Sequence, residues 1–430
     1  MYWEIWRQRL SALLDRLWHR GLKRSGMVTG LILAALATGF GVAYHQHAQG
    51  NFHKLKVKMA TEVPEEATPR PGGQEALVLT RTRMMDDSLP EFLSVTMLPG
   101  RGMNVLEISA YIPGRGEVNL MASPSLENAA NAMSGVGEDA NGQASLAMGG
   151  AFEAPWAARI WGTASSNAGR IATAWRGHAI QLPANGSAGE GATANGGLML
   201  AGAADSSGSV ALPDGGQAQA VFHGFGERWP SKTEVTVTAL LSSRAIDLTV
   251  TARNTGDTAE PVGIGWRPRF AVLEGGREQL RLRIPGESRV EGLDAKRGEP
   301  AGRLVPVAGT PYDFTAQGGA KVGSEGLDEC FVALQQGLLD SGPAAELSDP
   351  ANGYKLRLTA LSPTIHAMRV VAPADSSYVS IDPQYNYPDP LGREWNKDAD
   401  TGMVVLEPGE TTQWKVRLEV LPLAGSAPAL

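Results

Sequence analysis

The chain has 430 residues, of which 19% are charged, and a formal net charge of -7. That length suits one large all-β domain with additions, and the acidic balance argues against nucleic acid as a partner. A single cysteine, Cys330, leaves no intramolecular disulfide and no thiolate metal cluster; 52 glycines and 27 prolines predict that loops take up much of the length.

Residues 1–26 place Trp3, Ile5, Trp6, Leu10, Leu13, Leu14, Leu17 and Trp18 at roughly helical spacing. They predict an amphipathic helix lying on the cytoplasmic membrane surface. Residues 27–44, MVTGLILAALATGFGVAY, carry no charge and are near the lower limit for a helix that crosses a bilayer. The flank before them holds Arg7, Arg9, Arg16, Arg20, Lys23 and Arg24 against Glu4 and Asp15. Positive flanks stay inside, so the expectation is a single-pass inner-membrane protein with its C-terminal domain in the periplasm. The alternative is a cleaved signal peptide, for which LAALATGFG offers small residues. Residues 45–85, with EVPEEATPRPGGQE, read as a polar, proline-rich stalk.

From about residue 86 to 424 the chain reads as many short strands. FLSVTML, NVLEISAYI, EVTVTALL, AIDLTVTARN, YKLRLTAL and QWKVRLEVLPL are rich in β-formers, several alternate at period two, and turn residues separate them. With no run of βα units and no glycine-rich phosphate loop, a large antiparallel β-sandwich is predicted. Residues 127–150 show weak helical character. Residues 184–218 are nearly all Gly, Ala, Ser, Asn and Asp, and are expected to form a flexible surface insertion.

Four patches set polar or aromatic groups beside turn residues: GGAFEAPWAARIWG (149–162), FHGFGERWP (222–230), GTPYDF (309–314) leading to GLDECFVAL (326–334), and YVSIDPQYNYPDP (378–390); beside them GIGWRPRF (263–270) carries two arginines two residues apart. Carboxylates, Arg and His beside rings are what a sugar site needs, for hydroxyls and C–H faces respectively. Singly, His223, Asp328 and Asp382 read equally as turn or cap residues, Trp156, Trp229 and Trp266 as core, and Arg159 as half of an ion pair. In an extended strand Arg267 and Arg269 share one face.

Taken in order, with GRGMNVLEI near the start and VVLEPGETTQWKVRLEV at the end, these segments resemble the aldose 1-epimerase (galactose mutarotase) family, with some features of its glucose-6-phosphate 1-epimerase-like branch. The resemblance runs from about 88 to 422. It implies a galactose mutarotase-like sandwich with sugar in an open cleft, and neither cofactor nor metal. It also implies acid–base ring opening, in which a glutamate takes the anomeric proton and a histidine protonates the ring oxygen. Carried over, Asp382 stands at the catalytic glutamate and Gln384 at the glutamine two residues on. His223 stands at the first histidine and Asp328 at the aspartate holding ring hydroxyls. Arg159 follows the family's asparagine, which is Ala158 here. The acid histidine falls on Arg267.

Arginine keeps its proton at ordinary pH and is a poor general acid, although it can stabilise an alkoxide. Asp382 has a shorter reach than glutamate. Three readings follow. One is a carbohydrate-binding protein at the inner membrane that supports envelope or exopolysaccharide metabolism, its ligand a mono-, oligo- or polysaccharide that Arg159, Arg267 and Arg269 would favour as an anion, with Trp266 beside it. The second is an active epimerase with Asp382 as base and His223 as acid. The third is a structural subunit with a membrane-protein partner.

Overall fold

The computed structural model describes residues 68–423 except 85, 168, 187–192, 226–227, 274–275, 295–298 and 397–398, together with residues 11–12, 30, 33–39, 41–42 and 44–45. It separates into two units, Met1–Thr68 and Pro69–Leu430.

In the first unit, residues 11–12, 30, 33–39, 41–42 and 44–45 are helical, and Leu33, Leu36, Val42 and Tyr44 are exposed. Thr38 Oγ1 donates back to Ala34 O at 2.7 Å, so its hydroxyl is satisfied within the helix. Among the described residues, no helix is long and apolar enough to cross a membrane. The rest of the expected spanning segment, and nearly all of the expected amphipathic helix, lie outside the described residues.

The second unit is an antiparallel β-sandwich. Its first sheet has eleven strands. Near the centre, Gly150–Glu153, Gly265–Ala271, Tyr378–Gln384, Ala367–Ala372 and Leu327–Leu334 lie side by side in that order. The second sheet has nine strands, with Gly215–Gly224, Thr233–Leu241, Ala245–Asn254 and Thr411–Pro422 adjacent. Strict alternation decides what goes inward. Thr233–Leu241 and Ala245–Asn254 each bury every second side chain, and the buried set meets the other sheet's buried set. Trp414 of the second sheet packs edge-on against Phe152 of the first, with ring centroids 6.3 Å apart, and its Nε1 donates to Pro383 O at 3.2 Å.

Two expected boundaries shift. Strand Leu77–Thr80 falls inside the expected stalk yet pairs with Glu91–Leu98, because Leu79 supplies an apolar side chain to the core. Residues 184–218, expected to be a flexible insertion, instead contain Thr193–Asn195, a 3-10 turn at Met199–Ala201, all of Ser206–Leu212 and the start of Gly215–Gly224. Within the interval, 187–192 lie outside the described residues. Composition misled here because small residues pair their backbones as readily as large ones, and Ala194, Leu198, Met199 and Leu200 suffice to seat the segment in the core.

Candidate binding cleft on the outer face of the first sheet

In strand Gly265–Ala271, Trp266 and Phe270 turn into the sandwich and contact each other with ring centroids 6.2 Å apart. Arg267 and Arg269 therefore point outward, as period two requires. Gly265 shares their face. A Cβ there would stand 2.8 Å from that of Ala157 and 3.2 Å from that of Gln384, so the close fit of these strands needs a glycine.

The neighbouring strands add alternating charges to the same face. Ala367–Ala372 contributes Arg369, whose Cα pairs across the ladder with Asp382 on one side and Cys330 on the other. Arg369 Nε and Nη2 each donate to the Asp328 carboxylate at 2.8 Å, a bidentate geometry that favours the charged pair. Arg159 Nη2 approaches the same carboxylate at 3.9 Å. Arg267 lies 3.8 Å from Asp382 Oδ2 through Nε and 4.0 Å from Glu153 Oε1 through Nη1. Both distances exceed hydrogen-bond reach, so Arg267 neutralises these carboxylates without bonding to them.

Burial separates the carboxyls. The side chains of Glu153 and Asp382 are each 1% exposed, whereas Asp328 is 44% exposed. Burial pushes the Asp382 carboxyl up to about 7, against the opposing pull of Arg267 and Arg369. Burial also pushes Glu153 up, again opposed by Arg267. At Asp328 the cost of leaving water is overcome by Arg369, helped by Arg159 and Arg267, and the carboxyl is held below its usual range. Ser380 Oγ donates to Asp382 Oδ1, but Asp382 Oδ2 and Glu153 Oε1 are buried with no hydrogen-bond donor among the described residues.

Two cavities open on this face. One, of about 550 Å³, is lined by Arg159, Arg267, Arg269, Asp328, Asn185, Asn195, Gln143 and Tyr378 among others. The other, of about 470 Å³, is lined by Arg159, Asp328, Glu329, Arg369, Trp161 and Tyr312 among others. Three arginines and one carboxylate line the first. Arg269 rests on the Tyr378 ring at 4.6 Å and donates through Nη2 to Leu146 O at 3.1 Å, while its Nε is buried without a partner among the described residues. Burial first, and then Arg267 beside it, pull the Arg269 guanidinium below its ordinary pKa. Three amide side chains, an amide shelf, line the same cavity. Gln143 Nε2 donates to Asn185 O at 2.9 Å, Asn185 Oδ1 accepts from Asn195 N at 2.6 Å, and Asn195 Oδ1 is left unpartnered among the described residues.

The predicted site residues thus separate. Arg159, Arg267, Arg269 and Asp328 meet at the cleft. Asp382 lies against Arg267 but lines neither cavity. Gln384 is fully buried and donates to Asn386 O at 2.6 Å, and it too lines neither cavity. Trp266, expected beside the ligand, is wholly inside the core, with Nε1 donating to Gly150 O at 3.1 Å. His223 is not brought to Asp382. It belongs to the second sheet, and since Phe222 before it packs into the sandwich, His223 must point to the outer surface. There Asp205 and Glu234 hold its ring nitrogens at 3.1 Å and 3.0 Å and raise its pKa.

Arg369, Glu153 and the amide shelf were not singled out from sequence. A signal existed for two of them. Arg369 is the one charge in the otherwise apolar run AMRVVA, and Glu153 sits alone in GAFEAPW. A lone charge in a buried strand needs a partner, and that need marks it.

The sequence pattern of the family described as aldose 1-epimerase matches residues 158–419. No curated protein matches the sequence significantly. Among solved structures, a galactose mutarotase-like protein from Clostridium acetobutylicum is 15% identical with a TM-score of 0.62, and the match covers 80% of this chain and 98% of that one. The aldose epimerase homologue from C. elegans is 14% identical with a TM-score of 0.58, covering 81% and 99%. A galactose mutarotase-like protein from Lactobacillus casei is 12% identical with a TM-score of 0.52, covering 80% and 99%.

Proposed function

The chain belongs to the aldose 1-epimerase family, and from that premise we propose that it binds an acidic sugar in the arginine-lined cavity on the outer face of its eleven-stranded sheet. The observation that carries this reading is the convergence of positive charge at that cavity, where Arg159, Arg267 and Arg269 line the space with Asp328 as the lining carboxylate, while Glu153 and Asp382 sit buried beside Arg267. An anion there relieves the repulsion between Arg267 and Arg269, and Asn195 Oδ1, a buried acceptor with no partner among the described residues, suits a sugar hydroxyl. Calorimetric titration with glucuronate, galacturonate, glucose 6-phosphate and uncharged glucose tests it. The acidic sugars bind and glucose does not. Arg269→Gln and Arg267→Gln each weaken binding by about tenfold to a hundredfold, the range for a lost charge-assisted bond. His223→Ala leaves affinity unchanged. Equal affinity for glucose and glucuronate overturns the reading.

A second reading, anomer interconversion, is favoured by one observation. Asp382 has a carboxyl pushed up to about 7 and an oxygen without a hydrogen-bond donor among the described residues, beside Arg267. A base with that pKa is suited to take up a proton near neutrality. It requires Arg267 to give way, since Asp382 lines neither cavity. Anomer exchange of glucuronate followed by NMR, no faster with protein than in buffer, removes this reading and leaves binding standing.

The proposed setting is the inner membrane, with the sandwich in the periplasm and a role in envelope or exopolysaccharide metabolism. What supports it is the charge-free run 27–44 behind a basic flank, and the exposed Leu33, Leu36, Val42 and Tyr44 on its helix. The full chain is expected to stay in the membrane fraction through alkaline extraction and to be released when 27–44 are deleted. Protease should reach the sandwich in spheroplasts. A chain that is soluble with 27–44 intact ends this part of the proposal.

A further inference from the structure

We infer that the site extends beyond one sugar unit and takes an oligosaccharide in which an acidic unit is linked to a neutral one, the neutral unit occupying the second cavity. This rests on the acidic-sugar reading of the arginine-lined cavity. The two cavities share Arg159, Asp328, Val371 and Pro373, so they are neighbouring compartments of one cleft with the Arg159–Asp328 pair at their junction. At about 550 and 470 Å³ each compartment alone falls within the ~300–1,000 Å³ typical of a small-molecule site, so a single sugar does not account for both.

The compartments differ in charge. The carboxylates of the second are already matched. Asp328 is held by Arg369 at 2.8 Å, Glu329 by Arg289 at 2.8 Å, and Glu291 by Arg303. Arg159 and Arg369 stand beside three carboxylates in this lining, so it presents no excess of positive side chains to draw a second anion. What is left open is neutral chemistry. The Trp161 and Tyr312 side chains line the compartment, the second with Arg289 stacked on its ring at 4.1 Å. Trp161 Nε1 and Arg369 Nη1, on residues that line the compartment, are buried donors with no partner among the described residues, which a sugar hydroxyl reaches only by a small side-chain shift. Rings for C–H faces and unpartnered donors for hydroxyls fit a neutral pyranose.

The test is calorimetry on the full chain in mild detergent with three probes: glucuronic acid, a disaccharide of glucuronic acid linked to a neutral hexose, and diglucuronate. The mixed disaccharide is expected to bind about tenfold more tightly than glucuronic acid, the sum of one ring contact and one or two hydrogen bonds. Diglucuronate should gain nothing over the monomer. Trp161→Ala and Tyr312→Ala should each reduce the gain while leaving glucuronic acid affinity unchanged, which also shows that the variants are folded. If glucuronic acid binds but the mixed disaccharide binds no better, or if diglucuronate equals it, the inference is overturned and the acidic-sugar reading survives. A gain that persists in both variants overturns it as well. If no probe binds, both fall.

Discussion

Replacing Arg369 with methionine is expected to lower the stability of the sandwich by about 3 kcal/mol, measured by equilibrium urea unfolding of the full chain. Removing one partner of a buried ion pair typically costs about 3–5 kcal/mol, because the other is left charged in a poor solvent. Arg369 is 5% exposed and its positive charge is sustained against burial first by Asp328, then by Asp382 and Glu153. The low end of the range applies because Asp328 is 44% exposed and can be rehydrated when its partner is lost. Methionine keeps most of the side chain's apolar volume, so the loss reports charge and not a cavity. Asp328→Asn should cost less, about 1 kcal/mol, since Arg369 retains the other two carboxylates. A loss below about 1 kcal/mol in Arg369→Met would mean that Asp382 and Glu153 simply take up protons, leaving no buried charge behind.

The second large effect is a pH-dependent gain in stability for Asp382→Asn. The folded-state pKa of Asp382 is raised from 3.8 to about 7, so between these values the folded chain holds a proton that the unfolded chain has released. The stabilising contribution of that proton is fully present below about pH 4 and is lost as pH rises through about 7. At about 1.4 kcal/mol per pH unit, the interval from 3.8 to about 7 corresponds to a loss on the order of 4 kcal/mol. Asparagine never ionises. The variant should therefore be close to or slightly below the parent at pH 4 and more stable than it at pH 8.5. Burial raises Glu260 to about 7 as well and pushes Glu153 upward, so both proteins slope in this window, and the difference between the curves reports Asp382 together with its coupling to Glu153. Parallel curves from pH 4 to 8.5 would mean that Asp382 keeps an ordinary pKa, held down by Arg267.

The fold was legible for a local reason. Alternation within Thr233–Leu241, Ala245–Asn254 and Thr411–Pro422 needs no partner to be read, and it names each strand's buried face. The outward direction of Arg267 and Arg269 follows from the same period. The order of motifs then reached the right family without a strong single match. Composition served less well at 184–218, where the backbone of Thr193–Asn195 pairs with Arg159–Trp161 and so builds a wall of the cleft from residues with little apolar content. What small side chains cannot supply in burial, the ladder supplies in hydrogen bonds.

By itself, then, the sequence determined a β-sandwich, the faces of its strands and the presence of two outward arginines at Arg267 and Arg269. Only the tertiary structure decided which charges meet. Asp328 and Arg369 stand 41 residues apart and become bidentate partners because their strands are neighbours in the sheet. His223 and Asp382, matched as an acid and a base, fall on different sheets, with His223 turned outward by the packing of Phe222. Asp382 and Asp328 carry the same side chain, yet one is buried with its carboxyl pushed up to about 7 and the other is half exposed and held below its usual range. Side-chain period is a property of one strand, whereas the pairing of charges and the solvent they see depend on strands that the chain brings together from far apart.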